Sequence, residues 1–168
     1  MTIKREFTPR GIPVRPVFLM RDPIERVISS QRMKLRKRGQ LSPDEGVESL
    51  RSLVKKLPKQ VSIRSNYAQT LGAPDEDLGH ENCFISFYET LFKQKTYANL
   101  CKFLNMNYPE PSWGQKINVS ATDTLIPEDI LGQLGLWQSP IYHAVKNQLI
   151  NVNIDSIWST SSNWCRDQ

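Results

Sequence analysis

The residues from Pro16 to Gln31, PVFLMRDPIERVISSQ, constrain the fold more than any other stretch, because four apolar residues run directly into a helix start. Val17, Phe18, Leu19 and Met20 show no alternation, as expected of a strand covered on both faces, although four residues alone fit a buried helical turn equally well. The flanks favour the strand. Asp22 suits the N-cap, Pro23 the first helical position, and Glu25 can reach back to complete an Asp-x-x-Glu capping box. Ile24, Val27, Ile28, Gln31 and Leu35 then recur at helical spacing and predict a stripe packed on the sheet, with Gly39 just past the helix end. Arg26, Ser29, Ser30 and Met33 fall on other faces. A strand that delivers an arginine to a capped helix is a junction at which α/β proteins hold phosphates.

Downstream, Ser42, Pro43 and Glu45 predict a second capped helix through Val47, Leu50, Leu53, Val54 and Leu57, stopped by Pro58. Ile63, Tyr67 and Leu71 predict a third helix from Val61 to Leu71, ended by Gly72-Ala-Pro74, with a polar surface loop from Pro74 to Glu81. Asn82 to Glu89, rich in aromatic and β-branched residues, reads as a second strand. Pro109, Pro111, Trp113 and Gly114 mark an irregular crossing. Helices are expected to open at Pro127-Glu128-Asp129 and again at Pro140-Ile141-Tyr142, the latter continuing through Val145, Leu149 and Ile150, with Trp137, Trp158 and Trp164 as packing residues.

Two segments resemble the sulfotransferase superfamily. Arg21-Asp22-Pro23-Ile24-Glu25-Arg26-Val27-Ile28-Ser29 is similar to the family's Arg-Asn/Asp-Pro-x-x-Arg-x-x-Ser element, which binds the 3′-phosphate of the sulfate donor. Tyr88-Glu89-Thr90-Leu91, followed by Cys101-Lys102-Phe103-Leu104, resembles its Tyr-Glu-x-Leu strand end and Cys-x-Phe-Leu helix end. The resemblance runs from about Pro16 to about Trp158. It implies an α/β fold of the P-loop-NTPase-like sulfotransferase kind, with a short parallel sheet flanked by helices and a helix-rich C-terminal part, in one domain over residues 1–168. It implies 3′-phosphoadenosine 5′-phosphosulfate as donor, adenosine 3′,5′-bisphosphate as product, and transfer of a sulfuryl group to a hydroxyl or amine acceptor, with carbohydrate as the first guess.

By this resemblance Arg21 supplies a guanidinium fork and Ser29 a hydroxyl donor to the phosphate, and Lys116, Asn118 and Ser120 are candidate phosphate or ribose contacts. Glu89 reads as structural. The family's Pro-Lys-x-Gly-Thr-Thr loop, which holds the phosphosulfate end, has no counterpart here, nor does the segment that supplies the general base. The chain therefore resembles the C-terminal portion of a sulfotransferase, either a truncated copy or a natural short protein, and catalysis by this chain alone is not expected. A sheet without its first strand leaves an open edge, from which a homodimer is expected.

Composition sets bounds on these expectations. A chain of 168 residues with 39% hydrophobic content can bury roughly two thirds of its unfolded surface, enough for a globular fold. Cys83, Cys101 and Cys165 are odd in number and widely spaced, which favours thiols over a disulfide framework. With two histidines and no paired ligand spacing, no metal site is expected. No apolar run approaches a membrane span, and Met1 to Phe7 lacks the apolar core of a signal peptide, so a cytoplasmic location is expected and Asn118-Val-Ser120 is not read as a glycosylation acceptor. The net charge of +5 favours anionic partners. Much of the excess lies at Lys34, Arg36, Lys37 and Arg38, where cations meet the negative end of a helix dipole. From another class, a nucleic-acid-binding or non-catalytic nucleotide-binding module using the basic helix Arg32 to Arg38 is the alternative reading.

Overall fold

A computed structural model describes residues 7–39, 42–56, 66–77, 82–113 and 125–165, without the side chains of Thr8 and residues 73–77. These residues form a helix-rich α/β arrangement with one short parallel sheet, in two compact units. The first comprises Met1–Met20 and Ala68–Gln115, the second Arg21–Tyr67 and Lys116–Gln168.

In the first unit, strands β1 (Val17–Met20) and β2 (Phe84–Phe87) pair in parallel, with Val17 opposite Phe84 and Met20 opposite Phe87. The amide of Phe84 donates to the Pro16 carbonyl at 2.9 Å, which fixes that register. Strand β2 is shorter than the sequence suggests, because Tyr88–Leu91 turn at once into helix α4. Helix α5 (Gln94–Leu104) buries Cys101 and sets Phe103 against Phe84 of β2, ring centroids 5.7 Å apart. Its end is closed by Asn105 in the left-handed conformation (φ 56°), which a short amide side chain tolerates, and by the amide of Met106 reaching the Cys101 carbonyl at 2.9 Å. The Arg15 guanidinium donates to the Phe103 carbonyl, placing a cation at that helix end. Beyond it, Tyr97 meets Tyr108 and Trp113 edge to face.

The second unit packs helices α1 (Pro23–Lys37), α2 (Pro43–Lys56) and α6 (Glu128–Gln148) with the short α7 (Ile154–Ile157) and α8 (Ser159–Trp164). The stripe of α1 expected to pack on the sheet is buried, but among helices α2, α6 and α8: Ile24, Val27, Ile28 and Leu35 are all nearly inaccessible, each contributing roughly 1.5–3 kcal/mol of burial. Gln31 instead donates across to Ser49 of α2, 3.3 Å to its hydroxyl. Gly39, with φ +72°, closes α1 as expected of a glycine in that position. At the start of α2 the capping box is reciprocal: Ser42 Oγ accepts from the Glu45 amide at 3.2 Å, and Glu45 accepts from the Ser42 amide at 2.9 Å. Arg51 of α2 pairs with Asp129 of α6 at 2.5 Å.

Two expected helix limits are corrected. Helix α3 (Tyr67–Asp77) runs through Gly72 and Pro74 rather than stopping there, since Gly72 lacks the positive φ that ends α1 at Gly39. The residues from Val61 to Ser65, Leu57 and Pro58 lie outside the described residues. Pro140 does not begin a new helix but lies inside α6, which ends before Leu149 and Ile150. Pro140 and Leu136, whose carbonyl it deprives of an amide partner, are both exposed, so water can serve that carbonyl. Buried Leu134, Gln138, Tyr142 and Val145 on the other face hold the helix together across the proline. Among the described residues no helix is long and apolar enough to cross a membrane.

Helix α8 crosses α6 at Gly135, and a Cβ there would lie 2.1 Å from the Trp164 carbonyl oxygen. Gly135→Ala should therefore lower stability by roughly 3 kcal/mol in urea denaturation, despite a gain of about 1 kcal/mol in helix propensity. Gly132→Ala, whose nearest neighbour would be the Trp164 ring at 3.9 Å, should not lower it.

The Tyr142 hydroxyl donates to Asp155, and Lys146 Nζ lies 2.9 Å from the same carboxylate. These partners hold the Asp155 carboxyl below its usual range, the tyrosine hydrogen bond more strongly than the lysine. A carboxylate lowered on folding stabilises fully above its unfolded pKa of about 3.9, and the benefit is lost as pH falls through the lower folded value. The stability gap between the unmodified chain and Asp155→Asn should accordingly stay constant from about pH 7 to 5 and close below about pH 4, as read from urea midpoints.

Candidate functional site

The resemblance centres on residues 21–29, all in the second unit, and the structure fixes their backbone at two points. Tyr67, 5% exposed, donates its hydroxyl to the Arg21 carbonyl at 2.9 Å and accepts from the Arg21 amide at 3.4 Å. Its ring packs on the fully buried Trp158, centroids 5.9 Å apart, so the hydroxyl is held rigidly.

Asp22 is the second point. Its Oδ1 accepts from the amides of Ile24 (3.0 Å) and Glu25 (3.2 Å), as an N-cap should, and also from the Ser161 hydroxyl at 2.7 Å. Oδ2 accepts from the Ser161 amide at 2.9 Å. The carboxylate is 2% exposed and Ser161 fully buried, and four donors on one buried carboxylate satisfy its lone pairs. Glu25 accepts from the Thr160 hydroxyl at 3.0 Å, a second tie between α1 and α8. Nearby, burial pushes the Cys165 thiol up to about 11, the Ser161 hydrogen bond pulls the other way, and the negative charge of Asp22 adds to the rise. The thiol is thereby kept protonated, and all three cysteines are free.

This geometry decides which groups can face an anion. The first amides of α1 are taken by Asp22, so a phosphate at this end would rely on side chains. Arg21, half-buried, directly precedes the cap. Ser29, also half-buried, lies six residues beyond Pro23, roughly 9 Å along the helix axis. Arg26, the second arginine of the Arg21-to-Ser29 motif, is one turn before Ser29 on the same flank and half-buried, a further cation to which the motif match alone assigned no role. Lys116, Asn118 and Ser120 lie outside the described residues. Glu89, in α4 of the first unit, is half-buried.

No family model, curated protein or solved structure matches this chain.

The Asp22 network yields a direct test. Asp22→Ala removes all four acceptor contacts and should cost roughly 3 kcal/mol, whereas Asp22→Asn keeps one acceptor oxygen but turns an NH2 towards the Ser161 amide and should cost roughly 2 kcal/mol. Both substitutions should accelerate hydrogen exchange at the Ser161 amide, and protection unchanged from the parent chain would disprove the clamp.

Proposed function

We propose that this chain is a sulfotransferase-like protein that binds the nucleotide end of 3′-phosphoadenosine 5′-phosphosulfate, with Arg21 and Ser29 on the 3′-phosphate. The observation that carries the reading is the local build of residues 21–29. The amide and the carbonyl of Arg21 both engage the Tyr67 hydroxyl, and Arg21 stands directly before a cap anchored in the core. A guanidinium on a backbone fixed in this way loses less freedom on gripping a phosphate, and its planar fork suits two phosphate oxygens. Arg26 on the Ser29 flank adds a cation suited to a dianionic monoester.

Sulfuryl transfer further requires in-line placement of the acceptor oxygen, the sulfur and the leaving phosphate, with cations on the developing charge. The present reading assigns donor binding to this chain and no catalytic residue. In the P-loop-like fold it invokes, the acceptor is a hydroxyl or amine, with a glycan as the preferred class, and the protein acts as a homodimer.

Calorimetry with adenosine 3′,5′-bisphosphate tests the donor site. The unmodified chain should bind it, Arg21→Ala should weaken binding by 10- to 100-fold, on the order of the 1.5–3 kcal/mol of charge-assisted hydrogen bonds, and Arg21→Lys should recover only part of the loss. Adenosine 5′-monophosphate, lacking the 3′-phosphate, should bind weakly and be indifferent to Arg21. Absence of binding by the folded, unmodified chain would remove the proposal.

A further inference from the structure

The segment that follows α5 gathers three aromatic rings and one carboxylate, and neither the donor site nor the sheet uses them. Tyr97, in the first turn of α5, meets Tyr108 with centroids 5.4 Å apart and Trp113 at 5.5 Å, at interplanar angles of 73° and 86°. Two rings thus stand nearly perpendicular to a third, and Tyr108 and Trp113 make no ring contact with each other. Mutual packing leaves them open to solvent, Tyr108 38% and Trp113 41% exposed. The backbone holding them is stiff: Pro109 and Pro111 have a fixed φ, and the Trp113 amide donates to the Pro111 carbonyl at 2.9 Å. Trp113 Nε1 donates to Glu110 Oε1 at 3.1 Å, which ties the carboxylate to the cluster.

No described cation of the chain answers this arrangement. Glu110 is exposed and, among the described residues, forms no ion pair, in a chain with 22 Lys and Arg against 17 Asp and Glu. Lys93, Lys95 and Lys102, on α5 or just before it, are exposed as well, yet none pairs with Glu110 or stands over one of the rings. Aromatic faces are negative and so is Glu110, and their proximity is unfavourable until a positive group lies between them. Tyr108 registers the same field: desolvation raises its hydroxyl above the usual pKa, and the charge of Glu110 adds to the rise.

We propose that Tyr97, Tyr108, Trp113 and Glu110 form a binding site for a small, free cation carrying a methylated ammonium group. Rings set at right angles make a corner that a compact, rounded ion fills, whereas a sugar ring or a planar guanidinium lies flat against one face. An unmethylated ammonium brings three N–H donors that need acceptors, and here the one carboxylate already serves the indole; methyl groups need none. A phosphate beside the cation, as in a phospholipid headgroup, would meet the like charge of Glu110, which favours the free ion. The two prolines lower the ordering cost of binding.

The test is an NMR titration of the full chain with choline, followed at the backbone amides and at the Trp113 indole N–H. Choline should bind at millimolar concentrations. Ethanolamine, its unmethylated counterpart, and the uncharged alcohol with carbon in place of the nitrogen should each bind roughly fivefold more weakly or worse. Trp113→Ala and Tyr108→Ala should weaken choline binding by about 2- to 30-fold, Trp113→Phe less than Trp113→Ala, and Glu110→Gln, which keeps an acceptor for the indole, several-fold. Arg21→Ala should leave choline binding unaltered, and phosphatidylcholine vesicles should not carry the chain into the pellet. Absence of choline binding by the unmodified chain would overturn the proposal, and so would equal affinity for choline and either analogue, or unchanged choline affinity in both Trp113→Ala and Glu110→Gln. Sedimentation with the vesicles that depends on Trp113 would overturn the assignment to a free ion.

Discussion

The second unit depends on the buried carboxylate of Asp22. An unpaired anion in that position would be prohibitive, and hydrogen bonds from three amides and a hydroxyl make it tolerable. The consequence is positional. Two of the donors belong to α1 and two to Ser161, so the carboxylate is satisfied only when the N-terminal end of α1 and helix α8 are side by side. Helix α8 has six residues, far below the length at which an isolated helix holds in water. Its order comes from this anchor, from the Thr160 to Glu25 hydrogen bond, and from its close approach to Gly135.

Where the determining chemistry is local, the sequence discloses it. The cap at Asp22 and Pro23, the reciprocal box of Ser42 and Glu45, and the closing glycine at 39 involve partners within four residues, and all three stand as the sequence predicts. The two apolar runs likewise mark the strands, but the cover on both faces expected of Val17–Met20 is not found: Val17 and Leu19 are exposed and Met20 alone is buried. The Asp22 clamp was invisible for the opposite reason. Its decisive partner lies 139 residues away, and nothing about Ser161 in sequence distinguishes it from the serines beside it. Pro140 is not legible in the same way, because a proline's effect depends on which way its orphaned carbonyl faces, and tertiary packing fixes that. As for the candidate site, Arg21 and Ser29 were legible as a motif, while the rigidity that Tyr67 gives Arg21 was not, since it too is a long-range contact.

The first unit shows a different economy. Two short parallel strands are a poor source of stability by themselves, and isolated strand pairs are marginal in water. Here the pair is supported by Phe103 against Phe84, by the buried Cys101 of α5, and by an α5 terminus whose carbonyls are satisfied by Asn105, Met106 and Arg15. Val17 and Leu19 remain exposed on β1. Their backbone groups point away from β2, because the register pairs the amide of Phe84 with the carbonyl of Pro16 and so turns alternate residues outward.

The two ends of α1 present anions with opposite problems. A helix N-terminus attracts negative charge through its free amides, yet here those amides are consumed by Asp22, so the dipole's attraction is spent on an internal carboxylate. In the proposed function a phosphate at that end would have to be held by side chains, the guanidinium of Arg21 first among them, and its planar fork demands directional geometry. The C-terminal end repels anions through the dipole and attracts them through four exposed cations, a diffuse field without fixed donors. Being exposed to solvent, these charges act over no more than about a Debye length and are screened by salt. The charges at the two ends of α1 are thus arranged differently, fixed and internal at one end and solvated at the other.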